Sequence, residues 1–208
     1  MLTADEIRRR LAGTRPPDNL LDVAAGHTAQ RLPQTLLSKL TGELTPAGVL
    51  IPIIEREDAL DVLLTVRSPG LKHHAGQISF PGGRMEPQDA GIVDTALRET
   101  EEEVGIPAAK VEIAGFLEPM ATVTGYAVTP VIGLVQPAVE LTLDPAEVDE
   151  VFEVPLAFLL DSANEEQGER DVRGTRVPVV SFTWAQYRIW GATASMLVAL
   201  RTKLATFQ

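Results

Sequence analysis

The sequence contains no cysteine, and this absence removes several kinds of chemistry at once. Without thiols the chain can form no disulfide, no thiolate metal site and no cysteine nucleophile. Histidine is almost as scarce, because His27, His73 and His74 are the only three in 208 residues. Any metal bound by this protein would therefore be held mainly by oxygen ligands, which suit hard divalent cations.

Cationic residues are also in short supply. The 18 lysine and arginine residues face 29 aspartate and glutamate residues, which gives a formal net charge of −11. A phosphate backbone repels such a chain, so we expect no nucleic-acid partner. A small polyanionic substrate is compatible with this charge only where cations gather locally or a metal screens the carboxylates.

Long apolar runs are missing as well. No window is long enough to span a bilayer, and the polar N-terminus lacks the apolar core of a signal peptide. We therefore expect a cytoplasmic protein with no membrane partner. With 45% hydrophobic residues, a chain of 208 residues can bury a substantial core. We expect one domain over residues 1–208.

Local patterns predict an α/β domain with strands and helices in mixed order. Apolar runs bounded by turn residues predict strands at 48–54, 61–67, 111–117, 128–135 and 177–182. Capping signals and apolar periodicity predict helices at 3–11, 91–104, 155–160 and 184–206. The remaining segments read as irregular, namely 13–35, the glycine- and proline-rich loop 68–90 and the charged loop 161–174. We expect residues 1–45 to be an N-terminal addition that packs on the core.

The most informative segment is the acidic end of the predicted helix 91–104. On a wheel of about 100° per residue, Glu99, Glu102 and Glu103 share one narrow arc beside the apolar face, whereas Glu101 points elsewhere. Like charges at these spacings cost about 0.2–0.5 kcal/mol per pair, and the helix dipole disfavours negative charge near a C-terminus. A divalent cation would turn this arrangement into a binding site. The alternative is a solvated acidic helix face.

A glycine loop precedes this helix, and the two together resemble a known motif. Paired glycines allow a close approach of the backbone to other groups. The order of residues closely resembles the Nudix box, a loop-helix-loop unit that binds metal at a diphosphate, here over residues 82–106: Gly82, Gly83, Arg98, Glu99, Glu102, Glu103 and Gly105. One position departs, because the box usually has a glutamate eight residues before its arginine, where this chain has Ala90. An insertion of one residue would bring Asp89 into that place.

The resemblance implies a fold, a cofactor and a set of roles. It implies a Nudix-type α/β/α sandwich with a mixed central sheet, and Mg²⁺ or Mn²⁺ as the cofactor. By this resemblance Glu99, Glu102 and Glu103 are metal ligands, with Glu99 also a candidate base. Arg98 would orient the glutamates, and the carbonyl of Gly82 would be a further ligand.

The segment before the box indicates a substrate. Residues 63–83 resemble the coenzyme A pyrophosphatase branch of the Nudix hydrolases, as do two later stretches, 147–156 and 189–194. Candidate substrate-binding residues around this loop are Arg67, Lys72, His74 and Arg84. Guanidinium and ammonium groups suit a substrate that carries a diphosphate and a 3′-phosphate. The alternatives are solvated side chains at Arg67 and Lys72 and a local hydrogen bond at His74. Trp190 is either a core residue or a stacking platform.

The expected reaction is attack of water on the diphosphate of coenzyme A, which yields 3′,5′-ADP and 4′-phosphopantetheine. Glu147 is a second candidate base, and its alternative is the first turn of a helix after Asp144-Pro145. Competing functions are a Nudix pyrophosphatase acting on ADP-ribose or another nucleoside diphosphate derivative, and a binding module of the same fold without hydrolysis. A calcium-stabilised structural helix is the remaining alternative.

Overall fold

A computed structural model describes residues 2–29, 44–57, 59–172 and 174–205. Its α-helices are α1 (Ala4–Leu11), α2 (Leu20–Ala29), α3 (Ile92–Val104), α4 (Leu156–Leu160) and α5 (Ala192–Ala205). Its strands are β1 (Thr45–Glu55), β2 (Leu60–Arg67), β3 (Ile78–Ser79), β4 (Gly82–Arg84), β5 (Val111–Phe116), β6 (Met120–Ala121), β7 (Tyr126–Val135), β8 (Val148–Pro155), β9 (Glu166–Val172), β10 (Thr175–Trp184) and β11 (Tyr187–Trp190).

The central sheet is mixed, as predicted. Its main path runs β3-β2-β1-β7-β5, with β4 paired to β1, β6 to β7 and β8 to β2. Strands β1 and β7 are parallel over ten register pairs, from Thr45–Tyr126 to Ile54–Val135. The other pairs are antiparallel. Strands β9, β10 and β11 form a separate antiparallel sheet in the order β11-β10-β9.

Elements pack on both faces of the central sheet. Leu50 of β1 packs with Ala96 of α3 on one face. Ile51 and Ile53 of the same strand join the larger cluster on the other face, together with residues of α1, α5 and the small sheet. Because successive side chains of a strand point to opposite sides, one strand supplies both cores. The α/β architecture with helices on the two faces of a mixed sheet is confirmed.

The N-terminal segment was predicted in part. Helix α1 begins after Thr3, which forms the predicted capping box with Glu6. The prediction of irregular structure over 13–35 was wrong for residues 20–29, which form α2. Prolines 16 and 17 lie before this helix, so they do not interrupt it. Residues 30–35 lie outside the described part of the chain.

The loop predicted at 161–174 and the start of the helix predicted at 184–206 were both wrong. Charged residues 166–172 form β9, the edge strand of the small sheet, where charged side chains are tolerated. Residues 187–190 form β11, whose Ile189 lies opposite Phe182 of β10. Aromatic and β-branched side chains favour this pairing of strands. Because residues 187–190 belong to a strand, the C-terminal helix begins only at Ala192.

Candidate active site

The guanidinium of Arg98, on α3, forms hydrogen bonds with acidic residues of both the loop and the helix. Its Nε and Nη2 donate to the two carboxylate oxygens of Asp89 at 2.9 and 3.0 Å. Its Nη1 donates to Glu99 Oε1 at 2.9 Å and to Glu102 Oε2 at 3.0 Å. These contacts raise the pKa of Arg98, first through Asp89. Arg98 is therefore placed to orient Glu99 and Glu102, the role that the resemblance implied.

Asp89 occupies the place of the glutamate that the motif lacks at Ala90. Its side chain is 3% exposed, and it also accepts hydrogen bonds from the backbone N–H of Glu86 and the hydroxyl of Thr95. The bond from Arg98 holds the pKa of the Asp89 carboxyl well below its usual range. The geometry agrees with an insertion of one residue, after which a shorter carboxylate anchors the arginine.

Glu103 is the most deeply buried of the acidic residues of α3. Its side chain is 2% exposed, and its Oε1 lies 3.5 Å from Nη1 of Arg67. Its Oε2 is buried and has no hydrogen-bond partner. Burial raises the pKa of Glu103 to about 8, against the opposing effect of Arg67. An unpartnered buried carboxylate oxygen is costly, and a cation is the partner that would satisfy it.

The paired glycines bring backbone against two of the carboxylates. A Cβ on Gly83 would lie 2.4 Å from the Cδ of Glu99, so a side chain at this position would displace the Glu99 carboxylate. The backbone of Gly82 is the smallest of the influences that act on the pKa of Glu103, and it lowers that pKa. Burial raises the pKa of Glu99, and the bond from Arg98 opposes that shift. The carbonyl of Gly82 as a metal ligand stays a prediction.

Glu147 lies beside the same carboxylates, although it is far away in sequence. Burial is the main cause of the raised pKa values of Glu99 and Glu103, and the negative charge of Glu147 contributes to raising both. Its carbonyl accepts a hydrogen bond from the N–H of Ser68 at 2.8 Å. The alternative that Glu147 begins a helix was wrong, because strand β8 starts at Val148 and pairs with β2. The β-branched residues Val148, Val151 and Val154 favour that strand.

The other candidate substrate-binding residues are exposed. Lys72 is exposed. His74 is exposed, and its Nδ1 lies 2.7 Å from Oε1 of Gln77, which matches the local hydrogen bond that was the alternative. Arg84 has a side chain that is 67% exposed and lies 3.3 Å from Glu86. Of the four candidates, Arg67 is the one that forms an ion pair with a carboxylate of α3.

Trp190 is half-buried at the end of β11, and the guanidinium of Arg170 lies 4.1 Å from the centre of its ring. No local pattern indicated this pair, because residue 170 was predicted in a loop rather than in β9. The sequence signal for Asp89 was the count of residues on from Gly83, since the count back from Arg98 reaches Ala90.

The residues present fit a divalent cation. In residues 2–29, 44–57, 59–172 and 174–205, no three acidic or histidine side chains already surround one point. The reason is that Glu99 and Glu102 are turned to Arg98, while Glu103 is turned to Arg67. The donors are nevertheless carboxylates beside glycine backbone, and the free oxygen of Glu103 gives the cation an uncompensated ligand.

Residues 44–175 match the model of the NUDIX domain. The chain belongs to the Nudix family. It is 44% identical over 151 residues to the uncharacterized Nudix hydrolase NudL of Photorhabdus laumondii, and the aligned region covers 73% of this chain and 80% of that protein. The NudL protein of Escherichia coli O157:H7 is 42% identical over 158 residues, covering 76% and 82%. The solved MutT/nudix family protein from Enterococcus faecalis covers 96% of this chain and 73% of its own at 16% identity, with a TM-score of 0.49.

The family match supports hydrolase activity for this chain, and the acidic cluster of α3 lies within the matched residues 44–175. Nudix hydrolases generally use divalent metal ions and act on small nucleotide derivatives. None of the described helices is long and apolar enough to cross a membrane.

Proposed function

We propose that this Nudix hydrolase cleaves the diphosphate of coenzyme A and releases 3′,5′-ADP and 4′-phosphopantetheine. The observation that carries the proposal is the contact of Arg67 with Glu103 at 3.5 Å. Arg67 belongs to the segment 63–83 that resembles the coenzyme A branch, and Glu103 belongs to the acidic helix. The contact supports a substrate role for that segment, since it adjoins the carboxylates that would hold the diphosphate.

Glu99, Glu102, Glu103 and the carbonyl of Gly82 are the proposed ligands of Mg²⁺ or Mn²⁺. Such an ion, when bound, stabilises charge on phosphate oxygens and lowers the pKa of water. Arg98 holds Glu99 and Glu102 in place through contacts of 2.9 and 3.0 Å. Positioning and electrostatics account for most of the catalysis of phosphoryl transfer, so the fixed geometry of these side chains is their main contribution.

Two carboxylates are the proposed candidates to accept the proton of the attacking water. Glu99 is a member of the helix cluster, and Glu147 lies close enough to influence the pKa values of Glu99 and Glu103. Burial, and to a smaller extent the neighbouring carboxylates, raise the pKa of Glu99, and a raised pKa makes that side chain a better base.

Cationic side chains around the cluster would bind the phosphates of the substrate. Arg67 is half-buried at the carboxylates, whereas Lys72, His74 and Arg84 are exposed around them. Their positions suit a ligand that extends from the metal site toward solvent. Coenzyme A carries a 3′-phosphate in addition to its diphosphate, and such groups form strong charge-assisted hydrogen bonds with these residues.

Product analysis of the purified protein tests this proposal. The substrates are coenzyme A, ADP-ribose and a dinucleoside polyphosphate, each with Mg²⁺, Mn²⁺, Ca²⁺ or a chelator. We expect release of 3′,5′-ADP from coenzyme A that depends on Mg²⁺ or Mn²⁺. Cleavage of ADP-ribose alone would leave the metal site standing and overturn the substrate, while no cleavage with any substrate would favour a binding module.

A further inference from the structure

Strand β3 is only two residues long, yet it joins the substrate segment to the glycine loop. Three successive carbonyls at this strand each accept a hydrogen bond from a different donor. The carbonyl of Gln77 accepts from the N–H of Arg67 at 2.9 Å, and that of Ile78 accepts from the hydroxyl of Thr193 at 3.0 Å. The carbonyl of Ser79 accepts from the hydroxyl of Thr65 at 3.2 Å.

The two threonine hydroxyls reach β3 from different parts of the chain. Thr65 is fully buried on β2, the strand that pairs with β3. Thr193 is 6% exposed in the first turn of α5, and 115 positions separate it from Ile78. Both hydrogen bonds are partly buried, and a carbonyl that loses its donor in such a place is destabilised, so both hydroxyls help to hold the strand in one position.

Ile78 is connected to the carboxylate cluster on both sides. Its cross-strand partner is Val66, which directly precedes Arg67, and Arg67 lies 3.5 Å from Glu103. In the other direction the chain reaches Gly82 four residues later, whose backbone lies close enough to Glu103 to lower the pKa of that carboxyl. A shift of β3 would therefore move both Arg67 and the Gly82 backbone relative to the same buried carboxylate.

The first turn of α5 is itself held against the central sheet. Tyr187 of β11, just before this helix, stacks on Phe152 of β8 with ring centres 3.7 Å apart and planes 8° apart. Strand β8 pairs with β2 along most of its length. The small sheet thus gives Thr193 a fixed position from which its hydroxyl reaches Ile78.

We propose that Thr193 is a positioning residue of the active site, which fixes β3 and through it the guanidinium of Arg67. The inference rests on the proposed role of Arg67 in substrate binding. Thr193 itself contacts backbone, so its effect falls on the affinity for substrate more than on the chemical step. Loss of the hydroxyl should raise KM by about five- to tenfold and change kcat less than twofold, in keeping with loss of uniform binding.

Three substitutions and one control test the proposal. Thr193→Val and Thr193→Ala remove the hydroxyl, and Thr193→Ser keeps it. Thr202→Val is the matched control, because the Thr202 hydroxyl donates to the carbonyl of Val198 within the same helix. Steady-state kinetics use whichever diphosphate substrate the wild-type protein cleaves. Hydrogen exchange of the Arg67 and Gly76 amides, which close the base of the loop, is measured without substrate.

The expected result is a raised KM and faster exchange of these amides in the valine and alanine variants. The serine variant and the Thr202 control should resemble wild type. Unchanged KM and exchange in a folded Thr193→Ala protein would overturn the proposal, as would an equal effect of Thr202→Val. The exchange measurement needs no turnover, so failure of the coenzyme A assignment would not be mistaken for failure of this inference.

Discussion

Each N–H of the Arg98 guanidinium has an acceptor in the structure. Two are directed to Asp89, one each to Glu99 and Glu102, and one to the carbonyl of Arg84 at 3.3 Å. Guanidinium has five donors in a rigid plane, so this residue can fix three carboxylates and a loop at once. A lysine has three donors from a single point and could not reproduce the arrangement.

Glu103→Gln should abolish most turnover at saturating Mg²⁺, because an amide is a poor ligand for that ion. The matched control is Glu101→Gln, an exposed glutamate two residues earlier on the same helix, which should keep normal turnover. The measurement is kcat with a metal titration. Near-normal kcat in the Glu103 variant would count against this residue as a ligand.

The same variant should change how stability depends on pH. The pKa of Glu103 is raised from 4.5 to about 8, so its contribution to stability is full below pH 4.5 and is lost as pH rises through 8. In chelator, wild-type protein should lose stability over that window relative to Glu103→Gln, and Mg²⁺ should reduce the loss by favouring the ionised carboxylate. Urea denaturation at several pH values measures the difference, and parallel curves would contradict the shift.

At the scale of elements, helix α3 could be predicted closely and the small sheet could not. The predicted helix 91–104 is observed at Ile92–Val104, since its ends at Gly91 and Gly105 and its apolar period are local signals. Strand β11 depends on Ile189 meeting Phe182 across a turn, which no local pattern reveals. The aromatic and aliphatic residues of this strand are equally compatible with a helix, so their local pattern does not predict the strand.

Gly83→Ala should lower kcat at least tenfold while the protein remains folded. Its Cβ would come within 2.4 Å of the carboxyl carbon of Glu99, so that side chain must leave its place beside Arg98. Gly91→Ala is the control, because nothing lies within 4 Å of its Cβ position and its φ of 170° is ordinary extended backbone. Turnover and thermal melting of both variants give the comparison, and equal kcat values would refute the argument.

At the scale of the whole molecule, the N-terminal helix belongs to the main core. Ile7 is fully buried and Leu11 is 1% exposed, in the cluster that also contains Ile51 of β1. Arg8 donates to both carboxylate oxygens of Glu112 on β5, each at 2.8 Å. We therefore propose that residues 4–11, part of the N-terminal segment predicted to pack on the core, form one folding unit with the central sheet.

Ile7→Ala should lower the free energy of unfolding by about 2–5 kcal/mol, the usual cost of such a deletion in a packed core. Leu21→Ala on α2 is the control, because Leu21 is 38% exposed. Urea denaturation monitored by tryptophan fluorescence should show one cooperative transition, shifted only in the Ile7 variant. A separate early transition would mean that α1 unfolds independently.

The site was predictable where its residues share one helix. The spacing of Glu99, Glu102 and Glu103 places them together whatever the rest of the chain does. The contact of Arg67 with Glu103 and the approach of Glu147 depend on the pairing of β2 with β8. For those two residues the sequence offered only a resemblance, because nothing local connects positions so far apart.

The parallel pair at the centre of the sheet has a consequence for the order of folding. Strands β1 and β7 pair from Thr45–Tyr126 onward, so a chain segment of about eighty residues must close before their first contact forms. Contacts between distant positions slow folding. During synthesis the ribosome must release residues through 135 before this pairing can be complete. The acidic helix lies inside that segment, and until closure its carboxylates are hydrated like those of any unfolded chain.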